Sequence, residues 1–290
     1  MPDGPYTLVL GIVQDAGYPQ AGTKTSPAWD EHSLRRLATC LALVDPRSGR
    51  RWLIDATPDF KEQLHCLDVA APDSGVPGLD GIFLTHAHIG HYTGLIHLSR
   101  EAIGANDLPV YAMPRMERFL RENGPWEQLV TLRNIDIRPL REETTVALAP
   151  DVTITPLLVP HRDEYSETVA FRIEGPNRAV LYLPDINGWD EWEAAGTRIE
   201  DVLKTVDIAY LDGTFLSADE LPGRDLHEIP HPIIASSIAR FATFPASERA
   251  KIRFIHLNQS NPLIRDDAKA HALLREAGFG VAHEREIVAL

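Results

Sequence analysis

The chain has two cysteines, Cys40 and Cys66, among its 290 residues, and it has no long hydrophobic run. The cysteines form no CxxC pair and lie in apolar segments, so we interpret them as buried thiols or as residues without a role in the chemistry, and expect no disulfide framework. No segment approaches the roughly 18 uncharged apolar residues of a membrane span. Residues 1–7 carry no basic region ahead of an apolar stretch, so no signal peptide is predicted. We therefore expect a cytoplasmic protein with no membrane partner.

An excess of positive charge is also absent. The chain has 28 Lys and Arg residues against 42 Asp and Glu residues, which gives a formal net charge of −14. The basic residues form no stripe of the kind that binds phosphates, so no nucleic-acid partner is expected. A small-molecule substrate fits the acidity, even an anionic one, because a bound metal ion reverses the local field. The oligomeric state stays open.

The rest of the composition, 44% hydrophobic and 24% charged, is typical of a soluble globular protein. We find no repeat, low-complexity tract or linker, and predict a single domain over residues 1–290. Strands are predicted at 7–13, 40–44, 52–55, 81–85, 152–155, 169–173, 179–183, 208–212 and 252–256. Helices are predicted at 59–68, 93–103, 114–123, 197–205, 232–244 and 266–277. Adjacent strands in the first half favour two mixed sheets, covered by helices, over a doubly wound parallel sheet.

Three histidines, His86, His88 and His91, directly follow the apolar run at residues 81–84. In an extended segment residues two apart point to the same side, so His86 and His88 would face one direction, and His91 would return from the first turn of a following helix. Structural histidines occur singly far more often than clustered at the end of a strand. The cluster predicts a site for a divalent metal ion, with Zn²⁺ as the default and iron or manganese as alternatives.

Other potential ligands also stand at the ends of apolar runs. They are Asp55, His161, Asp185, Asp212 and His256. Taken alone, any one of these aspartates is more often a turn residue or a helix cap. Because strand ends at one edge of a sandwich converge on a common groove, the repeated coincidence favours a shared site on a rigid sheet.

This ordered set resembles the pattern of the metallo-β-lactamase-fold hydrolases, which has a strand-end Asp, an HxHxDH segment, a later His, a later Asp and a final His. The resemblance covers nearly the whole chain and implies an α/β fold of the αββα type, with two mixed sheets flanked by helices. It also implies a first metal ion held by the first two histidines of the segment and by His161. A second ion would be held by His91 and His256, with Asp185 bridging the two ions and Asp55 behind the ligands.

The chain departs from this pattern at Gly90, where the family has an aspartate that binds the second ion. Glycine offers no side-chain ligand, so we expect a strong first site and a second site that is weakened, rebuilt from another group or absent. On this interpretation Gly90→Asp would raise the occupancy of the second site. Asp15 lies after the first predicted strand, and we interpret it as shaping the turn in preference to lining the groove.

A narrower resemblance is to coenzyme biosynthesis protein B of the pyrroloquinoline quinone pathway. It is carried by residues 10–20 (LGIVQDAGYPQ), 55–64 (DATPDFKEQL), 211–215 (LDGTF) and 254–262 (FIHLNQSNP). The cysteine-rich zinc segment of that family is replaced here by residues 21–25, and the histidine triplet that the family has largely lost is intact. The chain therefore resembles a relative of that protein, and the pathway role is not carried over.

A metal ion lowers the pKa of bound water from about 15.7 towards 7, which favours hydrolysis of an ester, lactone, amide or phosphodiester. Residues 212–215, with His231, resemble the acid-plus-histidine element of the phosphodiesterase branch of the superfamily. Asp185, Asp212 and His231 are therefore the candidate catalytic residues. For His231, a helix-capping or packing role is an equally open alternative, and His227 is a weaker candidate.

Three functions stay open at this point. The first is a metal-dependent hydrolase acting on a small substrate. The second is an iron-dependent oxygenase or redox enzyme, and the third is a non-catalytic metal- or ligand-binding carrier. A carrier does not need Asp185, Asp212 and His231 beside a complete histidine set, so the sequence favours an enzyme.

Overall fold

The computed structural model describes residues 1–225, 229–265 and 267–290. Its strands, in chain order, are β1 (Tyr6–Gly11), β2 (Cys40–Asp45), β3 (Arg50–Ile54), β4 (Gly81–Phe83), β5 (Leu108–Ala112), β6 (Ile135–Pro139), β7 (Val146–Ala149), β8 (Val152–Leu158), β9 (Val169–Glu174), β10 (Ala179–Leu183), β11 (Ile208–Asp212), β12 (Ile252–Ile255), β13 (Gly280–Val281) and β14 (Ile287–Ala289). Its α-helices are α1 (Phe60–Ala70), α2 (Ile89–Tyr92), α3 (Pro114–Glu122), α4 (Trp126–Thr131), α5 (Trp189–Ala194), α6 (Ile199–Leu203), α7 (Ile234–Phe241), α8 (Ala246–Arg249) and α9 (Ala268–Ala277). A 3-10 helix at Thr93–Leu98 continues directly from α2.

Two mixed sheets form the centre, each of seven strands over the described residues. The first has the order β14-β1-β2-β3-β4-β5-β6, and β3 to β6 run parallel. The second has the order β13-β12-β11-β10-β9-β8-β7, and β10 to β13 run parallel. Parallel neighbours end at the same edge of a sheet, so the segments that follow β3 and β4, and those that follow β10, β11 and β12, emerge side by side.

The core has two layers because the first sheet is buried on both faces. Ile54 and Phe83 of this sheet share one buried cluster with Leu181 of the second sheet. Leu53, the alternate residue of β3, belongs to a second buried cluster with Phe60 of α1. Successive side chains of a strand point to opposite faces, which is how one strand supplies both layers.

The predicted αββα architecture is confirmed. The predicted strands are all present, β10 and β11 with the predicted bounds and the others with shifted ends, but β5, β6, β7, β13 and β14 were not predicted. In β5 a proline interrupts the apolar run, and in β6 charged residues follow the buried ones, so neither run is typical of a buried strand. The single domain over residues 1–290 stays a prediction.

The helices differ more from the predictions than the strands do. The predicted helix at 93–103 is instead a 3-10 helix over its first six residues, Thr93–Leu98, and α2, α4, α5 and α8 were not predicted. The predicted helix at 266–277 begins at Ala268, because the Asp267 side chain accepts hydrogen bonds from the Lys269 and Ala270 amides and caps it. No helix within the described ranges is long and apolar enough to cross a membrane.

Candidate metal centre

The residues predicted for the site meet at one edge of the two sheets. The first sheet contributes Asp55 after β3 and the histidine segment after β4. The second contributes His161, Asp185 and His256 after its own strands, and Asp212 at the end of β11. The imidazole rings form a continuous cluster, with neighbouring centroids 4.3–5.8 Å apart. The structure therefore brings together the six predicted metal ligands with Asp55, Asp212 and His231.

A first ligand group consists of His86, His88 and His161, whose ligand atoms lie within 4.8 Å of one another. His86 Nε2 and His88 Nδ1 are 2.9 Å apart. Burial lowers the pKa of His86 well below its usual value, and neighbouring histidines lower it further. Burial also lowers the pKa of His88, and it lowers the pKa of His161 to about 4. At neutral pH these rings are uncharged and offer the lone pairs that a metal ion requires.

A second group lies beside the first, around Asp185. Asp185 Oδ2 is 3.2 Å from His91 Nε2 and 3.4 Å from His256 Nε2. The other oxygen, Oδ1, is 3.5 Å from His161 Nε2, so this carboxylate faces both groups. Burial raises the pKa of Asp185, but His256 and His91 outweigh burial and hold it well below its usual range.

The second group fits a cation because its polar atoms are buried and unpaired. His91 Nε2, His256 Nε2 and Asp185 Oδ2 have no hydrogen-bond partner among the residues that the structure describes. Burial lowers the pKa of His91, but Asp55 and Asp185 outweigh it and raise this pKa well above its usual value. These carboxylates stabilise the protonated, positively charged form of the His91 ring. A divalent cation would supply that positive charge in place of the proton.

Three of the ligand rings are oriented by a partner on the side away from the other ligands. His91 Nδ1 lies 2.7 Å from Asp55 Oδ2. Thr85 Oγ1 donates to Asp55, so it accepts from the Nδ1–H of His86, 3.0 Å away. Thr214 Oγ1 likewise accepts from the Nδ1–H of His256 at 3.1 Å. In these three rings Nε2 is the nitrogen that faces the other ligands, which is the usual way in which outer contacts fix a metal-binding histidine.

His231 lies against both groups. Its ring centroid is 5.3 Å from that of His161 and 5.8 Å from that of His256. Its Nδ1–H donates to Asp212 Oδ2 at 2.8 Å. Burial lowers the pKa of His231, but Asp212 outweighs it and the net shift is upward. His231 lies three residues before α7, whose N-cap is Ile233, so it does not cap this helix.

Asp212 stands behind His231 rather than in the groove. It is fully buried, and its oxygens accept hydrogen bonds from Thr214, from the Ile186 amide and from His231. With both oxygens engaged, Asp212 positions His231 and does not itself face a substrate. His227 lies outside the described residues.

Asp15 is a site residue that the sequence interpretation missed. Its Oδ1 is 3.6 Å from His91 Nε2, and the ligand atoms of Asp15, His91 and His256 lie within 4.8 Å of one another. Burial raises the pKa of Asp15, but hydrogen bonding and charge from the nearby histidines lower it overall. The residue does shape a turn, with φ at 26°, and it also faces the groove. The absent side chain at Gly90 was the signal that a carboxylate must come from elsewhere.

A model of the β-lactamase superfamily domain matches residues 50–270. The chain belongs to the β-lactamase superfamily. It is similar to coenzyme PQQ synthesis protein B of Xanthomonas axonopodis pv. citri (strain 306), with 26% identity over 98% of this chain and 99% of the relative.

Solved structures share the fold of this β-lactamase superfamily protein. The Zn²⁺-bound PqqB from Methylobacterium extorquens matches with a TM-score of 0.79 and 22% identity, over 98% of this chain and 100% of that one. A diphosphatase of the PhnP family matches with a TM-score of 0.66 and 20% identity, over 98% and 96% of the two chains. The range that the superfamily model covers begins after Asp15, whereas the match to the Xanthomonas relative covers 98% of this chain.

Three of the eight residues other than glycine that have positive φ in the described part of this superfamily member lie at its candidate metal centre. Asp15, Asp55 and His256 all have positive φ, at 26°, 71° and 65°. A left-handed conformation costs a residue other than glycine about 1–2 kcal/mol. Such strain persists where the surrounding structure imposes it, which is common at functional sites.

Open clefts adjoin the two ligand groups. A cleft of about 710 Å³ has Asp15 and His88 in its lining. Ile89, Tyr92, Phe119 and Tyr165 give it apolar walls, and its polar lining is Asn123, Arg162 and Glu164. A second cleft, of about 490 Å³, reaches His231. Both volumes lie in the range typical of small-molecule sites.

Proposed function

We propose that this protein is a metal-dependent hydrolase that acts on a small ester, lactone or phosphodiester-type substrate. The observation that carries the proposal is that His91 Nε2 and His256 Nε2 converge on Asp185 Oδ2, at 3.2 and 3.4 Å. All three atoms are buried and lack a hydrogen-bond partner within the described part of the chain. Unpaired buried polar atoms are costly, and a cation offsets that cost.

The two groups give each ion a nitrogen-rich set of ligands. His86, His88 and His161 would hold the first ion, and the second group would hold another, with Asp185 between them. Neutral imidazoles with few carboxylates suit Zn²⁺, and the similar PqqB structure is Zn²⁺-bound. A dication bound here would lower the pKa of a coordinated water and polarise the substrate oxygen.

His231 supplies the second requirement of hydrolysis, which is a proton for the leaving group. Its Nδ1–H donates to Asp212 Oδ2, so Nε2 is the ring atom that can give a proton to the departing oxygen. Water then adds to the carbonyl carbon or phosphorus, the bond to that oxygen breaks, and the oxygen leaves protonated. The role of Asp212 is to hold this ring in one orientation.

The clefts support a small substrate with an apolar part. Tyr165 and Ile89, 63% and 61% exposed, present apolar surface beside the ligands. Arg162 in the same cleft offers a positive charge to an anionic group on the substrate. The acidic chain as a whole is poorly suited to a polyanionic macromolecule.

The test begins with elemental analysis of protein purified without added metal, for zinc, iron and manganese. Ester, lactone and phosphodiester substrates are then assayed with and without oxygen. We expect zinc and hydrolysis that does not depend on oxygen. Iron together with oxygen uptake would replace the proposal with an oxygenase. Bound metal without turnover of any substrate would replace it with a carrier.

His88→Ala provides the matched variant for the first site, and His65→Ala, at an exposed position of α1, provides the control. We expect His88→Ala to abolish activity and lower the bound metal, because it removes one ligand of the first group. We expect His65→Ala to change neither quantity. An unchanged metal content in His88→Ala would remove the assignment of this site.

A further inference from the structure

Position 90 and Asp15 occupy the same space at the second ligand group. A Cβ atom placed on Gly90 would lie 2.1 Å from Asp15 Oδ1 and 2.4 Å from Asp15 Cα. The first of these atoms could swing away, but the second belongs to the backbone. A side chain at position 90 and the present position of Asp15 therefore exclude each other.

Asp15 directs its carboxylate at the unpaired atoms of the second group. Its Oδ1 is 3.6 Å from His91 Nε2, and its carboxylate lies within 4.8 Å of the ligand atoms of both His91 and His256. Those two Nε2 atoms are buried and have no hydrogen-bond partner in the described ranges. With Asp185 Oδ2, the donors number two nitrogens and two carboxylate oxygens, which is enough for a four-coordinate ion.

The backbone places Asp15 beside His256 before any ion binds. The Gln14 amide donates to Leu257 O and the Leu257 amide donates to Ile12 O, both at 2.9 Å. Val13 O accepts from the Thr39 amide at 2.8 Å. The turn that carries Asp15 is thus attached to the segment that carries His256. A ligand fixed in this way loses little freedom when it binds metal.

We propose that Asp15 is the carboxylate ligand of the second metal ion, supplied from the turn after β1 in place of the side chain that Gly90 lacks. The second site is therefore rebuilt from a distant part of the chain, and Asp15 and Gly90 form an exchange pair in which one position carries the carboxylate and the other must leave space for it. The inference rests on the metal binding proposed above and does not depend on hydrolysis.

The test measures the number of ions bound per chain and the affinity for the second ion. Metal-free protein is titrated with Co²⁺ and followed by visible absorption, and the Zn²⁺ content is determined by elemental analysis after dialysis. We expect two ions in the wild type. Asp15→Asn keeps the shape of the side chain. It should lower the affinity for the second ion about 100-fold or more, because changes to the outer contacts of a ligand already lower metal affinity 10–100-fold. The first ion should be unaffected.

Gly90→Asp distinguishes the exchange pair from a site that simply lacks a ligand. If a ligand were missing, this substitution would raise the occupancy of the second site, as the sequence alone suggests. We expect it to lower the occupancy, because the new side chain displaces Asp15. Asp30→Asn, at an exposed position of the same N-terminal part of the chain, is the control and should bind as the wild type does.

Two results would overturn the inference. One is an unchanged second-ion affinity in Asp15→Asn, and the other is a wild-type protein that binds a single ion at saturating Co²⁺. Circular dichroism identifies a variant that fails to fold, and Asp15→Asn then decides the question, since it adds no atom. Loss of the second ion in Asp15→Asn, in a protein that hydrolyses no substrate tested, would leave this inference standing and remove the hydrolase.

Discussion

At the scale of single residues, the site depends on which ring nitrogen carries the proton. His91, His86 and His256 each have Nδ1 engaged, with Asp55, Thr85 and Thr214 respectively. Nε2 is therefore the atom that faces the other ligands in each ring. The sequence could identify the histidines but not these outer partners, because Thr85 and Thr214 are ordinary strand-end residues until the fold places them against a ring.

The prediction at the scale of single residues concerns His231. We expect His231→Ala to lower kcat by about 10²–10⁴-fold, the usual loss when a general acid is removed. The metal content should stay at the wild-type level, because His231 belongs to neither proposed ligand set. Steady-state kinetics and elemental analysis of the same preparation measure both quantities.

The control for this prediction is again His65→Ala, which should leave kcat unchanged. Wild-type turnover in His231→Ala would assign the ring to packing, one of the alternatives that the sequence left open. A parallel loss of metal and activity would make it a ligand instead.

At the scale of elements, the ligand-bearing strand ends depend on how the preceding loops are fixed. Arg51 of β3 is buried, and it donates to Gly78 O at 2.7 Å, to Ala71 O at 2.6 Å and to Asp68 Oδ1 at 2.8 Å. These contacts tie the α1–β4 connection to the strand that leads to Asp55. No pattern in the sequence indicates this role, because arginine is usually a surface residue.

Arg51→Ala should destabilise the protein by about 3 kcal/mol, since it leaves buried carbonyl groups and Asp68 without their donor. The free energy of unfolding in urea measures the change. Arg121→Ala is the matched control, because Arg121 forms an exposed pair with Glu117 within α3 at 2.9 Å. It should lose less than about 0.5 kcal/mol. Equal losses in the two variants would mean that the Arg51 contacts contribute nothing specific.

At the scale of the whole molecule, the end of the chain supports its beginning. β14 pairs antiparallel with β1. In the preceding segment, Glu284 Oε1 accepts from the Leu37 amide at 2.6 Å, and Leu37 O accepts from the Ile12 amide at 2.9 Å. The turn that carries Asp15 is therefore held by residues from both ends of the sequence.

The prediction at the scale of the whole molecule concerns Glu284. Burial raises the pKa of Glu284, and the Leu37 amide offsets this only in part. A carboxyl group whose pKa is higher in the folded state stabilises the fold below its unfolded pKa and loses that contribution as the pH rises through the folded value. Glu284→Gln keeps the acceptor oxygen without the charge. It should unfold at a higher temperature than the wild type at pH 8, and the difference should disappear near pH 4.

Glu122→Gln, at the exposed end of α3, serves as the control and should show no such difference at either pH. Thermal unfolding followed by circular dichroism at both pH values gives the comparison. The same stabilisation at pH 4 and pH 8 would contradict the electrostatic explanation.

The sequence by itself determined the αββα fold and most of the site. Buried strands appear in the sequence as apolar runs. A single Asp after such a run is usual in a turn, but His and Asp residues that follow several of these runs are conspicuous. It did not determine the second ligand group. The carboxylate of Asp15 meets His91 and His256 only through the pairing of segments far apart in the chain. The clash that makes Gly90 necessary is likewise a distance between backbones, and no local pattern of residues encodes it.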